Sequence, residues 1–183
     1  MKDQREIVLN AMQLRKGKGG RVKGKVKRNE IYIILDNVLD TYNIGSIFRL
    51  ADAVAAKRIY ICGQSEIPPN HRIKKASINT TEVVEWSYKG SAIEAIKELR
   101  LKNKDLQDVA VELTDTAVPY DKFEYKLPLA LIVGHESDGV SKEVLQSRML
   151  DGVVELPMFG VNKSLNVMVS LGIVLYQVLE NTV

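Results

Sequence analysis

Three short polar segments each follow an apolar run and lead into a stretch with helical spacing. They span residues 36–43, 134–141 and 156–166, and each combines small residues with Asn, Ser or Glu. Small residues let a polar ligand approach the backbone closely, and free N–H groups at a helix start attract negative charge. The chemistry indicated is therefore the binding and positioning of a polar ligand. No Walker sequence is present and no GxGxxG follows a strand, so the usual nucleotide fingerprints are missing.

Apolar runs of strand length alternate with segments of helical spacing along the chain. We predict strands over 31–35, 58–62, 83–86, 108–113, 129–133 and 153–156. Helices are predicted over 2–14, 43–54, 91–102 and 141–149 and from residue 165 onward, with loops through 63–70 and 114–128. Short apolar strands alternating with helices indicate an α/β fold with a mainly parallel sheet. Ligands of such sheets bind at the carboxyl ends of strands, where the three polar segments begin.

The last segment of the chain is apolar on nearly every side. It runs from Leu165 to Leu179 and is interrupted by the polar residues Asn166, Ser170 and Gln177. A helix that is apolar all round has to be buried on all sides, and this one is too short to span a bilayer. We therefore expect a fully buried terminal helix that pins a ligand-binding loop beneath it.

Length and composition fit one ordinary domain. The 183 residues are 45% hydrophobic and 27% charged, and the single cysteine, Cys62, excludes an intrachain disulfide and offers no metal cluster. The first residues are charged and lack the apolar core of a signal peptide, so we expect a cytoplasmic protein without a membrane partner. We expect a helix and basic segment over 1–28 and the main domain over 29–183.

Residues 15–28 form a strongly basic segment. They contain eight Lys or Arg and no acid, whereas the rest of the chain carries 18 basic and 23 acidic residues. One interpretation is an arm that binds the phosphate backbone of RNA. The other is a solvated linker without a partner. The RNA-binding candidates within it are Arg15, Lys16, Lys18, Arg21, Lys23 and Lys25.

The three polar segments, in this order, resemble the SpoU family of RNA ribose methyltransferases within the SPOUT superfamily. The matching patterns are N-x-G-S-I-x-R-x-A at 43–51, G-x-E-x-x-G-V-S at 134–141, and L-P-M at 156–158 with S-L-N-V at 164–167 and G-I-x-L-Y at 172–176. The resemblance implies a trefoil-knotted α/β fold, S-adenosylmethionine as cofactor and a homodimer. It also implies methyl transfer to a ribose 2′-oxygen of RNA, with tRNA preferred over rRNA.

The resemblance also implies which residues do the chemistry. Arg49 would be the central catalytic residue, surrounded by Asn43, Glu136, Ser164 and Asn166. A guanidinium stays protonated at ordinary pH, so Arg49 suits a clamp on the phosphate beside the target ribose better than a base. The proton would then leave through that phosphate, a water molecule or Glu136. Asn43 and Ser164 are also candidates to cap helices.

Cofactor contacts implied by the resemblance are mostly backbone groups at strand ends. The apolar side chains of Ile132, Leu156 and Leu165 would enclose the adenine. The full set of cofactor-binding candidates is Leu113, Thr114, Ile132, Val133, Gly134, His135, Glu136, Leu156, Met158, Ser164 and Leu165.

Two positions depart from the family pattern. His135 stands where the family usually has Asn, and Met168 stands where small polar residues are common. For RNA, Arg49 and Arg72 are further candidates, the latter in a basic loop that would either touch phosphates or remain solvated. Trp86 would either stack on a base or pack in the core. The alternatives to a ribose methyltransferase are a catalytically idle RNA-binding dimer and a base-modifying enzyme of the same superfamily.

Overall fold

The computed structural model of the chain describes residues 26–182. The predicted helix over 2–14 and the six RNA-binding candidates within 15–25 lie outside these residues. The first strand begins at Asn29, next to the boundary expected between the basic segment and the main domain.

The described elements alternate between strands and helices. In chain order they are β1 (Asn29–Asp36), α1 (Thr41–Ala53), β2 (Ala56–Cys62), α2 (His71–Ser77), β3 (Glu85–Lys89), α3 (Ala92–Lys102), β4 (Gln107–Val111), β5 (Val118–Pro119), β6 (Leu129–Gly134), α4 (Lys142–Leu145), β7 (Gly152–Glu155) and α5 (Val167–Thr182). A 3₁₀ turn over Thr80–Glu82 separates α2 from β3.

The seven strands form one sheet in the order β3-β2-β1-β6-β4-β7-β5. Every strand pair described is parallel, as the sequence predicts. Asp36, at the end of β1, is level with Cys62 on one side and Gly134 on the other. The carboxyl ends of the neighbouring strands β2, β1 and β6 therefore lie at one height, and two of the polar segments start there.

Alternate residues of β1 and β6 pack on opposite faces of the sheet. Ile33 and Leu131 belong to a core beneath α1 and α5, whereas Ile34 and Ile132 belong to a second core beneath α3 and α4. Burying each such side chain stabilises the fold by about 1.5–3 kcal/mol. Both faces of the central strands are thus covered, which explains why their sequences are continuous apolar runs.

The terminal helix α5 is buried on one side only, so the prediction of burial on all sides is wrong for the single chain. Leu171, Val174, Leu175 and Val178 are buried against the sheet. Its other face is open, with Val169 40%, Ile173 36% and Tyr176 57% exposed. A flat sheet covers only one stripe of a helix, so an all-round apolar helix needs a second surface.

Helix α2 was not predicted, because its region was read as loop. Only Ile73 and Ser77 of this helix are buried, so it has no apolar periodicity to detect. Its start is set by the Asn70 side chain, which accepts hydrogen bonds from the amides of Arg72 (2.9 Å) and Ile73 (3.2 Å). This helix packs closely on α1, because a Cβ at Gly45 would lie 2.6 Å from that of Ala76.

Two other boundaries differ from the prediction. The strand expected over 83–86 runs over 85–89, because the 3₁₀ turn occupies the residues before it. Helix α4 ends at Leu145 instead of about residue 149, and Ser141 stands at its N-cap position without a side-chain capping bond.

Candidate active site

Glu136 joins the second polar segment to the first. One oxygen, Oε1, accepts hydrogen bonds from the amide of Asp40 (3.0 Å) and from Nδ2 of Asn43 (3.0 Å). The other, Oε2, accepts from the amide of Leu39 (3.2 Å). A negative carboxylate at the start of a helix also suits the helix dipole. Glu136 therefore fixes the N-terminal end of α1 against the loop that follows β6.

Asn43 joins the first segment to the third. Its Oδ1 accepts a 3.0 Å hydrogen bond from Nδ2 of Asn166, while Oδ1 of Asn166 accepts from the amide of Met168 (2.9 Å). Asn166 therefore caps α5, so the prediction of Ser164 as the cap is wrong. Asn43 is not a cap either, because Asp40 caps α1 by accepting from the amide of Tyr42 (2.8 Å).

The three segments thus meet in one hydrogen-bonded chain from Glu136 through Asn43 to Asn166. We call these residues the junction. Asn43 itself is 6% exposed, whereas its two hydrogen-bond partners, Glu136 and Asn166, are exposed. Sequence reasoning named all three residues, and the structure brings their side chains together.

The junction carries a negative charge. Burial raises the pKa of the Glu136 carboxyl, but the hydrogen bonds from Asn43 and from the amides of Asp40 and Leu39 outweigh burial and lower its pKa below the ordinary glutamate value. A carboxylate that already accepts three hydrogen bonds is a weak base. Its geometry suits positioning better than proton transfer.

Arg49 lies apart from the junction on an exposed part of α1. It is six residues beyond Asn43, which is about 9 Å along the helix axis. Within residues 26–182, no hydrogen bond or ion pair holds its guanidinium. The structure therefore leaves this group presented to solvent, where an external anion can reach it.

The loop after β6 is a tight turn that tolerates only small residues at its ends. The backbones of His135 and Gly139 exchange hydrogen bonds of 3.0 and 2.9 Å. A Cβ at Gly134 would lie 2.1 Å from the carbonyl carbon of Gly139, which leaves no room for a side chain. Gly139 also has a φ of +70°, a conformation that favours glycine.

Two buried or half-buried carboxylates that sequence reasoning missed fasten this loop. Glu112 accepts from the amides of Val140 (2.7 Å) and Leu113 (2.9 Å), and Asp36 accepts from the amide of Ser141 (2.9 Å). Both acids come at the ends of apolar strands, β4 and β1. An acidic residue closing an apolar run was the signal that could have identified them.

His135 is held in one tautomer by its own turn. Its Nδ1 accepts from the amides of Ser137 (3.0 Å) and Asp138 (3.1 Å), so the ring hydrogen is on Nε2. The Asp138 carboxylate also lies 3.5 Å from Nδ1, but an ion pair there would require a proton where two N–H groups already point. The two hydrogen bonds therefore determine the tautomer of His135, and the role of this side chain is to stabilise the turn.

The predicted cofactor residues divide into two groups. Ile132 and Val133 are 0% and 1% exposed, so only their backbones can face a ligand, and the expectation that the Ile132 side chain encloses the adenine is wrong. Leu113 (59%) and Leu165 (40%) are exposed, as are Ser164 and, partly, Thr114, Leu156 and Met158. Within the described residues, no backbone N–H of 158–165 donates a hydrogen bond to another group.

A cleft of about 460 Å³ adjoins the junction. It is lined by Leu39 and Asp40, whose amides bind Glu136, and by residues that include Asn70, His71 and Arg72 at the start of α2. His71 and Arg72 are exposed, as a phosphate contact requires. The described residues contain no cluster of three or more potential metal ligands. No helix among them is long and apolar enough to cross a membrane.

Comparison with known proteins places this arrangement in a family. Residues 30–176 match the family model described as the SpoU rRNA Methylase family. The chain is 33% identical over 156 residues to the tRNA (guanosine(18)-2'-O)-methyltransferase of Aquifex aeolicus (strain VF5), an alignment that covers 82% of this chain and 69% of that relative. It is 30% identical over 151 residues to the 23S rRNA (guanosine-2'-O-)-methyltransferase RlmB of Vibrio parahaemolyticus, covering 80% and 58%.

Solved structures have the same fold. The crystal structure of the A. aeolicus TrmH/SpoU tRNA modifying enzyme superposes with a TM-score of 0.72 at 28% identity, covering 85% of this chain and 76% of that one. An AdoMet-bound rRNA methyltransferase from Sinorhizobium meliloti superposes with a TM-score of 0.75 at 28% identity, covering 84% and 57%. The chain therefore belongs to the SpoU rRNA methylase family, as its three motifs indicated.

Proposed function

We propose that this protein transfers the methyl group of S-adenosylmethionine to a ribose 2′-oxygen of RNA. The observation that carries the proposal is the junction, where Glu136, Asn43 and Asn166 unite the three motif segments at the carboxyl ends of the strands. Ligands of parallel sheets bind at this edge. The relatives named for 2′-O-methylation of guanosine in tRNA and rRNA support the reaction type.

The residues beside the junction fit the cofactor. The backbone N–H groups of 158–165 have no partner among the described residues, so they can donate hydrogen bonds to the polar edge of an adenine. Exposed Leu113 and Leu165 and half-exposed Leu156 offer apolar surface to its faces. When bound, S-adenosylmethionine supplies a methyl group already activated on a positively charged sulfur. The protein then has mainly to orient the ribose and release one proton.

Arg49 is the residue proposed to hold the substrate. Its exposed guanidinium can grip the phosphate next to the target ribose with two parallel hydrogen bonds. It cannot act as the base, because it does not lose its proton. Glu136 is occupied by three donors, so the proton of the 2′-hydroxyl leaves to the phosphate or to water. Ser164, exposed in the segment before Asn166, completes the set of polar groups available to substrate.

The open face of α5 is proposed to bind a second copy of the chain. Val169, Ile173 and Tyr176 form an exposed apolar strip along one side of this helix. A homodimer would cover this strip and give the helix the second surface that its composition demands. The trefoil knot implied by the family resemblance belongs to the same proposal.

The proposed substrate is tRNA in preference to rRNA, in a cytoplasmic setting. A methyl-transfer assay tests the function: the protein is incubated with S-[methyl-³H]adenosylmethionine and unfractionated tRNA or rRNA, and the RNA is then digested to nucleosides. We expect label on a 2′-O-methylnucleoside. Label on a nucleoside methylated on its base would assign base methylation instead. Unlabelled RNA, together with no cofactor binding by calorimetry, would assign an idle RNA-binding protein.

A further inference from the structure

A second cleft, of about 540 Å³, lies on the far side of the start of α2. The residues that line it include Pro68, Pro69 and the half-buried Trp86, together with the polar or charged residues His71, Lys74 and Glu82. Trp86 packs partly on the core beneath α1, and its strand, β3, is the edge of the sheet. No motif of the family resemblance falls in this region.

We propose that this cleft binds one unstacked nucleotide of the substrate RNA, outside the nucleotide that is methylated. This inference rests on the proposed function, because it assumes an RNA substrate. The indole and the two proline rings provide apolar walls on which a base can lie. Aromatic stacking of splayed-out bases is a general way in which proteins recognise single-stranded RNA.

The charges around the cleft match a nucleotide. Lys74 can bind a phosphate, and the carboxylate of Glu82 can accept hydrogen bonds from the N–H groups on a base edge. Helix α2 carries Arg72, Lys74 and Lys75 and no acidic residue, so its surface attracts a polyanion. An acidic side chain within a basic, aromatic cleft suits a base better than a plain anion.

The cleft adjoins the one beside the candidate active site. Asn70 and His71 line both this cleft and the smaller one, which reaches Leu39 and Asp40 beside Glu136. A single RNA strand could therefore cross the start of α2, with its target ribose near the junction and another base against Trp86. The cleft would thereby help to select the RNA.

Tryptophan fluorescence, excited selectively over that of the seven tyrosines, reports on this cleft alone because Trp86 is the only tryptophan in the chain. An eight-nucleotide RNA of alternating adenosine and cytidine serves as the probe. We expect a saturable loss of Trp86 fluorescence. The same oligomer with abasic sites, and inorganic polyphosphate, should leave the emission nearly unchanged. Equal quenching by these base-free polymers would overturn the proposal, as would RNA binding that leaves Trp86 emission unaffected.

Matched variants then test the residues through the anisotropy of the fluorescein-labelled octamer. Trp86→Leu and Lys74→Ala should each raise its Kd at least about fivefold, whereas Trp86→Phe, which keeps an aromatic face, should stay within about threefold. Lys75→Ala removes the same charge from the same helix outside the cleft and should change Kd less than Lys74→Ala. Equal losses for the two lysines, or an unchanged Kd in Trp86→Leu, would contradict the assignment.

None of these measurements requires methyl transfer. If the cleft fails the test, methylation of RNA by the wild-type protein still stands as measured. If the wild-type protein methylates no RNA, base-dependent quenching still identifies a nucleotide-binding cleft. The failures of the two proposals are therefore distinguishable.

Discussion

Asn166 and Asn43 are 123 positions apart in the chain, yet Nδ2 of one donates a 3.0 Å hydrogen bond to Oδ1 of the other. This bond links the cap of α5 to the first turn of α1. Through Asn43 it continues to Glu136 and the loop after β6. Three segments that look independent in the sequence are thus held in one arrangement by short amide side chains.

A double-mutant cycle measures how strongly the two asparagines depend on each other. Asn166→Ala should lower the free energy of unfolding by about 1 kcal/mol through the lost cap, and Asn43→Ala by about 1–3 kcal/mol because it removes two hydrogen bonds, one of them to a carboxylate. The interaction between them should be about 0.5–1.5 kcal/mol. Urea unfolding provides the values. Asn103→Ala, just beyond the end of α3, provides the control: its effect on the free energy of unfolding should add to that of Asn43→Ala. If the effects of Asn166→Ala and Asn43→Ala also add, the two asparagines are not coupled.

Arg49→Ala should reduce kcat for methyl transfer about 10²-fold or more, the scale expected when a preorganised charged contact to the reacting region is lost. The affinity for S-adenosylmethionine should stay nearly the same, because Arg49 is assigned to the RNA phosphate and is not among the residues proposed to bind the cofactor. Arg49→Lys keeps the charge but not the two-pronged geometry, so it should recover only part of the rate. Steady-state kinetics and calorimetry check this. An Arg49→Ala variant that loses cofactor binding but has a normal kcat at saturating S-adenosylmethionine would contradict the assignment of Arg49 to the RNA phosphate.

The fold itself was largely predictable, and the exceptions have physical causes. Strands β1 and β6 were found because residues buried on both faces of a sheet form continuous apolar runs. Helix α2 was missed because only Ile73 and Ser77 are buried, which leaves no periodic pattern. The exposed face of α5 was not predictable from composition, because a sequence does not distinguish surface buried within a chain from surface left for another molecule.

The residues of the candidate site were predictable where they belong to motifs. They were not predictable where their side chains accept hydrogen bonds from backbone amides. Asn43, Glu136 and Asn166 were identified before their contacts were known. Glu112 and Asp36 were not, because their partners are amides that lie far away in the sequence and adjoin them only in the folded sheet.

Asp108 gives the protein a pH-dependent stability that is separate from the site. It is 0% exposed, its Oδ1 has no partner among the described residues, and its Oδ2 accepts from Nε of Arg100 at 2.6 Å. Burial raises its pKa from 3.8 to about 6, although Arg100 opposes the shift. The folded state therefore binds this proton more tightly than the unfolded state. The stabilisation is fully present below about pH 4 and is lost as the pH rises through about 6.

The test compares the wild type with Asp108→Asn, which cannot titrate at this position. The stability of the wild type relative to the variant should fall by about 2 kcal/mol between pH 4 and pH 7, as measured by urea unfolding. Asp105→Asn, at an exposed site three residues earlier, provides the control and should show no such trend. A pH-independent difference for Asp108→Asn would mean that burial does not perturb this carboxyl.

Ile173→Asp should convert the proposed dimer to a monomer, because it places a charge in the open apolar strip of α5. The side chain is 36% exposed in the single chain, so the substitution need not disrupt the core. Sedimentation velocity measures the change, with Leu101→Asp as the control on the opposite face of the sheet, where the side chain is 87% exposed. A wild-type protein that sediments as a monomer would remove the proposed dimer, as would an Ile173→Asp variant that remains dimeric.

Titration of the ¹⁵N-labelled protein with S-adenosylmethionine, followed by amide chemical shifts, tests most directly whether the junction adjoins the cofactor site. We expect saturable changes in amide chemical shift that are concentrated in residues 134–140 and 156–166. The chemical shifts of amides at the amino ends of the strands, such as those of 103–107, should remain unchanged. Saturable binding that changes the chemical shifts at the amino ends of the strands but not those of 134–140 and 156–166 would contradict a cofactor site beside the junction.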